Sequence, residues 1–569
     1  MAAFDFALLK QLRAEGSASR SEDLLAGIIT AILLVPQGMA YAMLAGLPPE
    51  MGLYASIVPP AVYALFGSSR ALAVGPVAVA ALMVANALTQ HYSGEDQSAV
   101  FAGAMILAAE TGLILVLLGV LRLGALVSFI SHPVLSGFTT GAAILIITSQ
   151  LKHLSGIGLE RGDALTTVAA FLQRLDESHT PTLLFGIGAI VLLMLARKPL
   201  TTLLTSAGLS QRVATITGRT VPLVIVIGAT VIAALTKADS YGLSVVGDIP
   251  AGLPVPSLGF FNAEGWAALL PSAVLIALVG YVESVSVAKV LAARRRQKIN
   301  ANQELTALGF SNIAAAIAGA MPVAGGFSRS VVNFEAGART QLAAIVTAFL
   351  VAIVALFFTG WFYFLPDAIL AGIIVVAVTQ LIDIAGARAI WRYDRADGAA
   401  LITTAMAVLI LGIESGLVIG IVLSLALYLW RTSQPHMAVL GQVPGTGHFR
   451  NVNRHIVDTL PRALIVRVDE NLYFANAGAV EDYLMRHINA RPEINAVVLL
   501  MSAVSYIDAS ALEMLEHLEQ DLRASGITMH LAEVKGPVMD RLRRTSFGQE
   551  LAADRIHLSA KSAWDTLTN

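Results

Sequence analysis

The most unusual chemical group in the apolar part of this sequence is the guanidinium of Arg329, within the stretch GGFSRS at 325–330. A lone cation is costly at membrane depth, and it is poorly placed in the first turn of a helix unless an anion offsets it. Ser328 and Ser330 flank it and add hydroxyl donors that suit an oxyanion. Arg329 is therefore predicted to bind an anion. The alternatives are that Arg329 snorkels to the interface or forms a structural ion pair with Glu335 or Glu283.

Two breaks in the apolar runs, at Gly75-Pro76 and at Gly325-Gly326, stand at corresponding places in the two halves of the region. Each predicts a half-length helix entered from irregular backbone, and paired interruptions of this kind are typical of transporters built from inverted repeats. Two facing helix N-termini would direct free N–H groups and positive dipole ends at one point, which favours an anion. We expect the binding site at that point. Ordinary glycine and proline kinks in packed helices are the alternative.

Glu283 lies deep in an apolar helix, in the run LIALVGYVESVSVAK at 275–289. Carboxylates at membrane depth are rare and mark functional positions. Near Arg329, such a carboxyl would take up a proton and thereby remove a negative charge from the site that the anion must enter. That exchange would couple proton and anion movement. A permanent structural pairing with Arg329 or Lys289 is the alternative.

Gln37 and Tyr41 follow Pro36 at a spacing of four residues, which places both side chains on one face of the helix. Both can donate a hydrogen bond, and they are predicted to line the side of the anion site. Gln37 could equally hold two helices together by hydrogen bonding.

The composition is that of an integral membrane protein. Of the 569 residues, 56% are hydrophobic and 13% are charged, whereas soluble proteins carry about 25% charged residues. The mean hydropathy is +0.72. A formal net charge of −2 provides no basic field for nucleic acid. The absence of cysteine and the scattered positions of the 11 histidines argue against a metal site or a cysteine nucleophile. We therefore expect no enzyme, no cofactor and no metal.

Apolar runs of about 20 residues, the length that crosses a bilayer, recur between residues 24 and 430. Some loops are rich in Lys and Arg, as at 294–298, while acids prevail in others, as at 90–98. By the positive-inside rule the basic loops and both termini are cytoplasmic, which requires an even number of spans, about fourteen. The chain is thus predicted to be a multi-pass protein of the plasma or inner membrane, with a cytoplasmic segment at 1–21 and a transmembrane domain at 22–432.

After residue 432 the composition becomes that of a soluble protein. A linker is predicted at 433–461 and a small cytoplasmic α/β domain at 462–569. The domain assignment depends on strand-like runs, such as ALIVRV at 463–468, that alternate with helix-like ones.

A regulatory site is predicted in this domain at Asp508 and Ser510, within YIDASAL at 506–512. The two residues fall between a strand and a helix. Ser510 would either cap the helix or accept a phosphate there, where the helix dipole favours added negative charge, and capping is the simpler role.

These residues together resemble the SulP anion permeases, the solute carrier 26 family, over nearly the whole chain. VPQGMAYAMLAGLPPEMGLYASIVPPAVYALFGSSR at 35–70 is similar to the sulfate-transporter signature, and NQELTALGFSNIAAAIAGAMPVAGGFSRS at 302–330 is similar to the ninth and tenth spans of the family. The C-terminal region resembles the STAS domain of these proteins, although Ala509 and Ala511 replace the usual serine and glycine of its motif.

The resemblance implies a seven-plus-seven inverted repeat with a core and a gate domain, an elevator-like motion and a homodimer. It also implies an anion held between the third and tenth half-helices. The matching substrate contacts are Gln37, Tyr41, Val74, Gly75, Pro76, Val77, Phe327, Ser328 and Arg329. The span around Glu283 is similar to that of proton-coupled plant sulfate transporters, which implies coupling to a proton rather than to sodium.

The expected function is secondary active anion transport, namely proton-coupled sulfate symport, by a protein surrounded by lipid whose STAS domain has a cytosolic partner. Transport of bicarbonate or a C4-dicarboxylate, coupled to sodium or by exchange, is one alternative. An uncoupled anion channel is another. Glu283 argues against the channel, because a fixed negative charge near the path would repel the permeant ion unless it were neutralised.

Overall fold

The structure, a computed structural model, describes residues 7–15, 19–125, 131–159, 164–196, 198–208, 210–551 and 553–568. Its contacts divide the chain into an N-terminal unit, Met1–Ser424, and a C-terminal unit, Leu425–Asn569. The predicted cytoplasmic segment at 1–21 is only partly described, since residues 1–6 and 16–18 lie outside these ranges.

The N-terminal unit is almost entirely helical, and each of its halves places a two-residue strand just before a short helix. The first half contains α1 (Ala7–Glu15), α2 (Ser19–Leu44), α3 (Pro49–Tyr54), α4 (Val58–Phe66), β1 (Val74–Gly75), α5 (Ala78–His91), α6 (Gln97–Val120), α7 (His132–Ser155), α8 (Ala164–Gln173), α9 (Thr180–Ala196), α10 (Lys198–Ser206) and α11 (Gln211–Thr236). The second half contains α12 (Trp266–Arg294), α13 (Ala301–Ile317), β2 (Ala324–Gly325), α14 (Phe327–Glu335), α15 (Leu342–Phe357), α16 (Asp367–Val378), α17 (Ile384–Tyr393), α18 (Arg395–Leu411) and α19 (Ile413–Ser433), whose end belongs to the C-terminal unit.

Within the described residues, six helices are long and apolar enough to cross a membrane: Arg20–Leu44, Gln97–Val120, His132–Ser155, Trp266–Arg294, Asp367–Tyr393 and Ile413–Ser433. Four shorter apolar helices accompany them: Ala164–Gln173, Thr180–Ala196, Thr220–Thr236 and Leu342–Phe357. This set of helices fits a multi-pass protein. The predicted number of about fourteen spans stays a prediction.

Glycines allow several helices of the N-terminal unit to cross at short distance. Where α6 crosses α13, a Cβ added to Gly112 would lie 2.7 Å from the carbonyl oxygen of Gly309. Where α2 meets α3, a Cβ added to Gly52 would lie 2.0 Å from the carbonyl oxygen of Gly38. Small residues at helix interfaces are the usual means of packing in lipid, where the hydrophobic effect does not drive helices together. These glycines therefore allow the backbones of neighbouring helices to pack in close contact.

The C-terminal unit is an α/β domain built on one six-stranded sheet. Its strands are β3 (Met437–Gln442), β4 (Phe449–Asn451), β5 (Ala463–Val468), β6 (Ala496–Leu500), β7 (Thr528–Ala532) and β8 (Ile556–His557), in the spatial order β4-β3-β5-β6-β7-β8. Strands β5 to β8 are parallel, whereas β3 is antiparallel to both of its neighbours. The helices are α20 (Ala477–Asn489), α21 (Ala509–Ala524), α22 (Gly536–Leu542), α23 (Ser546–Glu550) and α24 (Ala560–Thr568).

Helices cover both faces of this sheet, which explains why its strands read as continuous apolar runs. On β5, Leu464 and Val466 belong to the core that α20 and α21 complete, while Ile465 packs in the core that contains Trp564 of α24. This alternation follows from the two-residue period of a strand. The predicted strand at 463–468 is confirmed.

The segment predicted as a linker, 433–461, contains two strands of the sheet. β3 is hydrogen-bonded to β5, with Met437 opposite Val468, and β4 pairs with the outer edge of β3. The sequence pattern of these strands is weak. β4 has only three residues, and β3 is held in the sheet by its pairing with β5. The sheet thus begins before the predicted domain boundary.

Candidate functional site

The two breaks in the apolar runs meet in space at a short antiparallel ladder. β1 pairs with β2, with Val74 opposite Gly325. α5 begins at Ala78 and α14 begins at Phe327, so both helices start beside the ladder. The first amides of a helix have no acceptor within the helix and carry the positive end of its dipole. The structure thus brings together the two helix N-termini that the sequence predicts to face one anion.

A cavity of about 40 Å³ adjoins these helix ends. One water needs about 10–15 Å³ of such space, so the cavity has room for a group larger than water. It is lined by Gln37 and Tyr41 of α2, Val77, Ala78 and Val79 at the start of α5, Glu283 of α12, Gly326, Phe327, Ser328 and Arg329 at the start of α14, and Ala377, Val378, Gln380 and Leu381 around the end of α16. Three of the predicted contacts, Val74, Gly75 and Pro76, lie in β1 or just after it rather than in the cavity wall.

Arg329 is a buried cation in this wall, with 2% of its surface exposed. Its Nη1 donates a hydrogen bond to the carbonyl oxygen of Pro76. Its Nε and Nη2 have no hydrogen-bond partner among the described residues. These two nitrogens lie on the same edge of the planar guanidinium, where parallel N–H groups can bind two oxygens of one anion. Arg329 is thus held by one nitrogen and has a free donor edge.

Two glycines allow the guanidinium to lie against the ladder. A Cβ added to Gly326 would lie 2.9 Å from Nη2 of Arg329, and one added to Gly75 would lie 3.4 Å from the same atom. The first distance is too short for a real contact, so a side chain at Gly326 would displace the guanidinium. The glycines that break the helices therefore also make room for Arg329.

Tyr41, Gln37 and Glu283 supply further polar groups to the cavity. Tyr41 and Gln37 are buried, with 7% and 9% of their surfaces exposed. The charge of Glu283 interacts electrostatically with that of Arg329. Within the described residues no direct hydrogen bond joins Glu283 to Arg329, since the guanidinium edge is unpartnered. The two charges therefore act on each other across the cavity.

Buried polar side chains of α14 form hydrogen bonds with the chain that precedes β1. Ser330 Oγ accepts a hydrogen bond from the amide of Ala73 at 2.9 Å and donates one to the carbonyl of Gly326 at 2.7 Å. Asn333 Nδ2 donates to the carbonyl of Ala71 at 3.1 Å. A hydroxyl has a single proton to donate, and that of Ser330 is used on the backbone. The expectation that Ser330 donates to the anion is therefore wrong, and Ser330 positions α14 instead.

Two further buried side chains hold the irregular chain that leads into α14. Ser284 Oγ accepts a hydrogen bond from the amide of Gly325 at 2.7 Å. Asn312 accepts a hydrogen bond from the amide of Val323 at 2.9 Å and donates one to its carbonyl at 3.0 Å. Irregular backbone at membrane depth is tolerated where protein groups satisfy its amides and carbonyls. α12 and α13 therefore support the irregular chain that leads to Arg329.

Glu304, in the first turn of α13, performs the same task for the chain before β1. The side chain is fully buried. Its Oε1 accepts hydrogen bonds from the amides of Ser68 and Ser69 at 2.8 and 3.0 Å, and its Oε2 accepts one from the hydroxyl of Tyr63 at 2.7 Å. A buried carboxylate with this many donors is a structural anchor. The sequence does not predict this role, because a glutamate near a helix start has no distinctive local signal.

The wall formed by Ala377, Val378, Gln380 and Leu381 was also missed. These residues lie at the end of α16 and in the helical turn at Thr379–Leu381 that follows it, within the long apolar run where hydropathy does not separate the spans. Gln380 is exposed and adds an amide group to the cavity wall. A glutamine at the end of an apolar helix has no signature that distinguishes a binding role.

In the C-terminal unit, Asp508 rather than Ser510 caps α21. Its Oδ1 accepts a hydrogen bond from the amide of Ala511 at 2.9 Å, and its Oδ2 accepts one from the amide of Phe474 at 2.9 Å. The predicted capping role of Ser510 is wrong, because Asp508 occupies the position just before the helix from which a side chain reaches the third amide. Ser510 is exposed in the first turn, and phosphorylation there stays a prediction.

Comparison with known proteins matches both parts of the chain to families. Residues 21–404 match the sulfate permease family, and residues 455–563 match the STAS domain. The chain is 38% identical over 553 residues to probable sulfate transporter 4.2 of Arabidopsis thaliana, covering 94% of this chain and 80% of that protein. It is 35% identical over 544 residues to a probable sulfate transporter of Mycobacterium tuberculosis (strain ATCC 25618 / H37Rv), covering 95% and 94%.

Solved structures share the fold. The murine solute carrier 26 family member A9 anion transporter, solved in its inward-facing state, matches with a TM-score of 0.90 at 22% identity, covering 99% of this chain and 94% of that one. The transmembrane domain of a cyanobacterium bicarbonate transporter, BicA, matches with a TM-score of 0.58 at 21% identity, covering 71% and 97%. The predicted class, a polytopic helical membrane protein with a C-terminal STAS domain, is confirmed.

Proposed function

The chain belongs to the sulfate permease family, and on that premise we propose that it is a secondary active transporter that carries sulfate across a membrane. The observation that carries the proposal is the free edge of the Arg329 guanidinium beside two helix N-termini. A tetrahedral oxyanion can accept both N–H groups of this edge while the helix amides take its other oxygens. Sulfate has the charge and the oxygens to use every donor in this set.

The relatives support this substrate. Both proteins compared above are described as probable sulfate transporters, and the match extends over most of each. The family consists of transporters rather than enzymes, and the site has the groups of an anion-binding site, namely hydrogen-bond donors and a cation. Such a site binds the anion on one side of the membrane and releases it on the other.

Glu283 is proposed to couple a proton to the anion. With Glu283 ionised, its charge cancels that of Arg329 and the cavity offers no net attraction to a dianion. With Glu283 protonated, the cavity carries one positive charge, so proton and sulfate favour each other's binding. Release of either on the far side would then promote release of the other. This linkage is what symport requires.

An elevator-type motion, a homodimer and a location in the cell membrane with both termini in the cytoplasm complete the proposal. The motion is supported by the composition of the cavity wall, since the wall combines the two half-helices with the end of α16. Relative movement of these two walls would open the site to one side of the membrane at a time. The orientation is supported by the distribution of basic loops.

Uptake of labelled sulfate by proteoliposomes tests the proposal. We expect uptake to be saturable, to accelerate when the outside is more acidic than the inside, and to ignore a sodium gradient. Glu283→Gln should abolish the response to the proton gradient, because an amide carries no titratable proton. Lys289→Gln, which changes an exposed residue of the same helix outside the cavity, should retain it.

Each outcome decides between named alternatives. Uptake that is indifferent to both the proton gradient and Glu283 would refute the coupling while leaving sulfate transport intact. Stronger competition by bicarbonate, fumarate or chloride than by unlabelled sulfate would assign a different substrate. An absence of saturable anion uptake would refute transport altogether.

A further inference from the structure

The half-helix that carries Arg329 is held at its other end by an arginine from a different helix. Arg295 directly follows the end of α12, and its guanidinium carbon lies 4.2 Å from the ring centroid of Phe334 in α14. Its Nη2 donates a hydrogen bond to the carbonyl oxygen of Phe334 at 3.1 Å, and its Nη1 donates one to the carbonyl oxygen of Ala338. One side chain of α12 therefore makes three contacts with the end of α14.

The backbone closes this end of α14, but the negative end of the helix dipole remains there. The amide of Gly337 donates to the carbonyl of Phe334 at 3.1 Å, and the amide of Ala338 donates to the carbonyl of Asn333 at 3.0 Å, as in other helices that end at a glycine. A cation beside a helix C-terminus stabilises the helix because it offsets the dipole. A helix of nine residues is too short to be stable by itself. α14 therefore depends on contacts with its neighbours, and Arg295 supplies charged ones.

Arg295 differs from Arg329 in that protein groups offset its charge. Both of its terminal nitrogens donate to backbone carbonyls. It interacts electrostatically with the carboxylates of Glu15, Glu22 and Asp23, and with the guanidinium of Arg339. An anion would gain little beside a cation that three carboxylates already offset. The structure therefore assigns Arg295 to the support of α14 rather than to a second anion site.

We propose that Arg295 is a positioning residue for the anion site, which acts through α14 to hold the guanidinium of Arg329 in place. The inference rests on the proposed function, because it concerns how the proposed anion site is held. At 1.5 Å per residue, Arg329 and Phe334 lie about 7.5 Å apart along the axis of α14. α12 also carries Glu283. The contacts of Arg295 thus fix the helix of the coupling carboxyl relative to the helix of the anion-binding cation.

Equilibrium binding of labelled sulfate to the full chain tests the proposal. Arg295→Ala should raise the Kd by about 5- to 50-fold, because the donor edge of Arg329 is in place in fewer molecules once α14 loses its charged contacts. Arg295 is not among the described residues that line the cavity, so the effect is indirect. Arg295→Lys should raise the Kd by at most about threefold, since an ammonium can still donate to one carbonyl and lie over the Phe334 ring.

Arg294→Ala is the matched control, because it removes an exposed cation from the last turn of the same helix. Its Kd should equal that of the unchanged protein. Arg295→Met keeps most of the length of the side chain and replaces Arg295→Ala should the alanine variant fold poorly. A Kd for the folded variant within about twofold of the unchanged protein would overturn the positioning role.

A double-mutant cycle separates positioning from a general effect on stability. Arg329→Lys alone should weaken binding by about 10- to 100-fold, because lysine cannot present two parallel N–H groups to one anion. In the Arg295→Ala background this geometry is already impaired, so Arg329→Lys should cost only about threefold more. Losses that multiply as if the two residues were independent would show that Arg295 does not act through Arg329.

Hydrogen exchange locates the change and requires no sulfate. In Arg295→Ala the amides of α14 should exchange faster, whereas those of the distant helix α7 should exchange as they do in Arg294→Ala. Equal acceleration in α14 and α7, or unchanged exchange in α14, would overturn the proposal. An unchanged protein that binds no sulfate would instead refute the proposed function, while the exchange rates would still decide whether Arg295 holds α14.

Discussion

Replacement of Arg329 by alanine is expected to weaken sulfate binding by about 10²- to 10⁴-fold. The magnitude follows from the two unpartnered donors of the side chain, Nε and Nη2. A hydrogen bond that involves a charged group contributes about 1.5–3 kcal/mol, so the loss of two such bonds amounts to about 3–6 kcal/mol. At 1.4 kcal/mol for each factor of ten, this loss gives the stated range.

Arg329→Lys separates the charge from the geometry. Lysine retains the positive charge, but its compact ammonium cannot present two parallel N–H groups to one anion. We expect it to lose about one charge-assisted hydrogen bond, which weakens binding by about 10- to 100-fold. A lysine variant as weak as the alanine variant would show that the planar donor edge, rather than the charge, dominates.

Equilibrium binding of labelled sulfate to the detergent-solubilised full chain, in chloride-free buffer of constant ionic strength, measures these effects. Lys289→Ala is the matched control, because it removes a cation from an exposed position of α12 outside the cavity. Equal elution volumes and equal thermal unfolding would show that the variants are folded. A Kd for Arg329→Ala within about threefold of the unchanged protein would refute the assignment of Arg329 to the anion.

Two further outcomes concern stability. Gly309→Ala should destabilise the N-terminal unit by about 1–3 kcal/mol, because its Cβ would lie 2.8 Å from the carbonyl oxygen of Gly112, and a lowered Tm in detergent would show it. Gly188→Ala, which has open space around it, should leave the Tm unchanged. In the C-terminal unit, burial lowers the pKa of His530 from 6.5 to about 4, beside His557 at 3.0 Å. The unfolded chain binds a proton at His530 more readily than the folded domain does. The free energy of unfolding should therefore be greatest above pH 6.5 and fall by up to about 3 kcal/mol as the pH is lowered towards 4. Hydrogen exchange of the β7 amides, followed as a function of pH, measures this loss of stability. His530→Gln should make the stability independent of pH over this range. A pH-independent stability in the unchanged protein would contradict the prediction.

The candidate site was largely accessible from the sequence because its signals are local. A guanidinium at Arg329 within apolar runs requires a compensating group in any fold that the chain adopts. Glycine and proline at Gly75-Pro76 break a helix whatever segments pack against it. The carboxyl of Glu283 is conspicuous for the same reason. The residues that support the site could not be predicted, because the local sequence around Glu304 or Asn312 does not indicate which backbone groups their side chains bind.

By itself, the sequence determined the class of the protein, the two half-helices and the β5 strand, since composition and periodicity follow from the solvent that each segment meets. Only the tertiary structure decided which segments meet: the pairing of Val74 with Gly325, the wall at Gln380, and the hydrogen bond from the amide of Ala73 to the hydroxyl of Ser330. These features depend on contacts between residues up to hundreds of positions apart. Such contacts are selected by the packing of whole helices, and no short stretch of sequence encodes them.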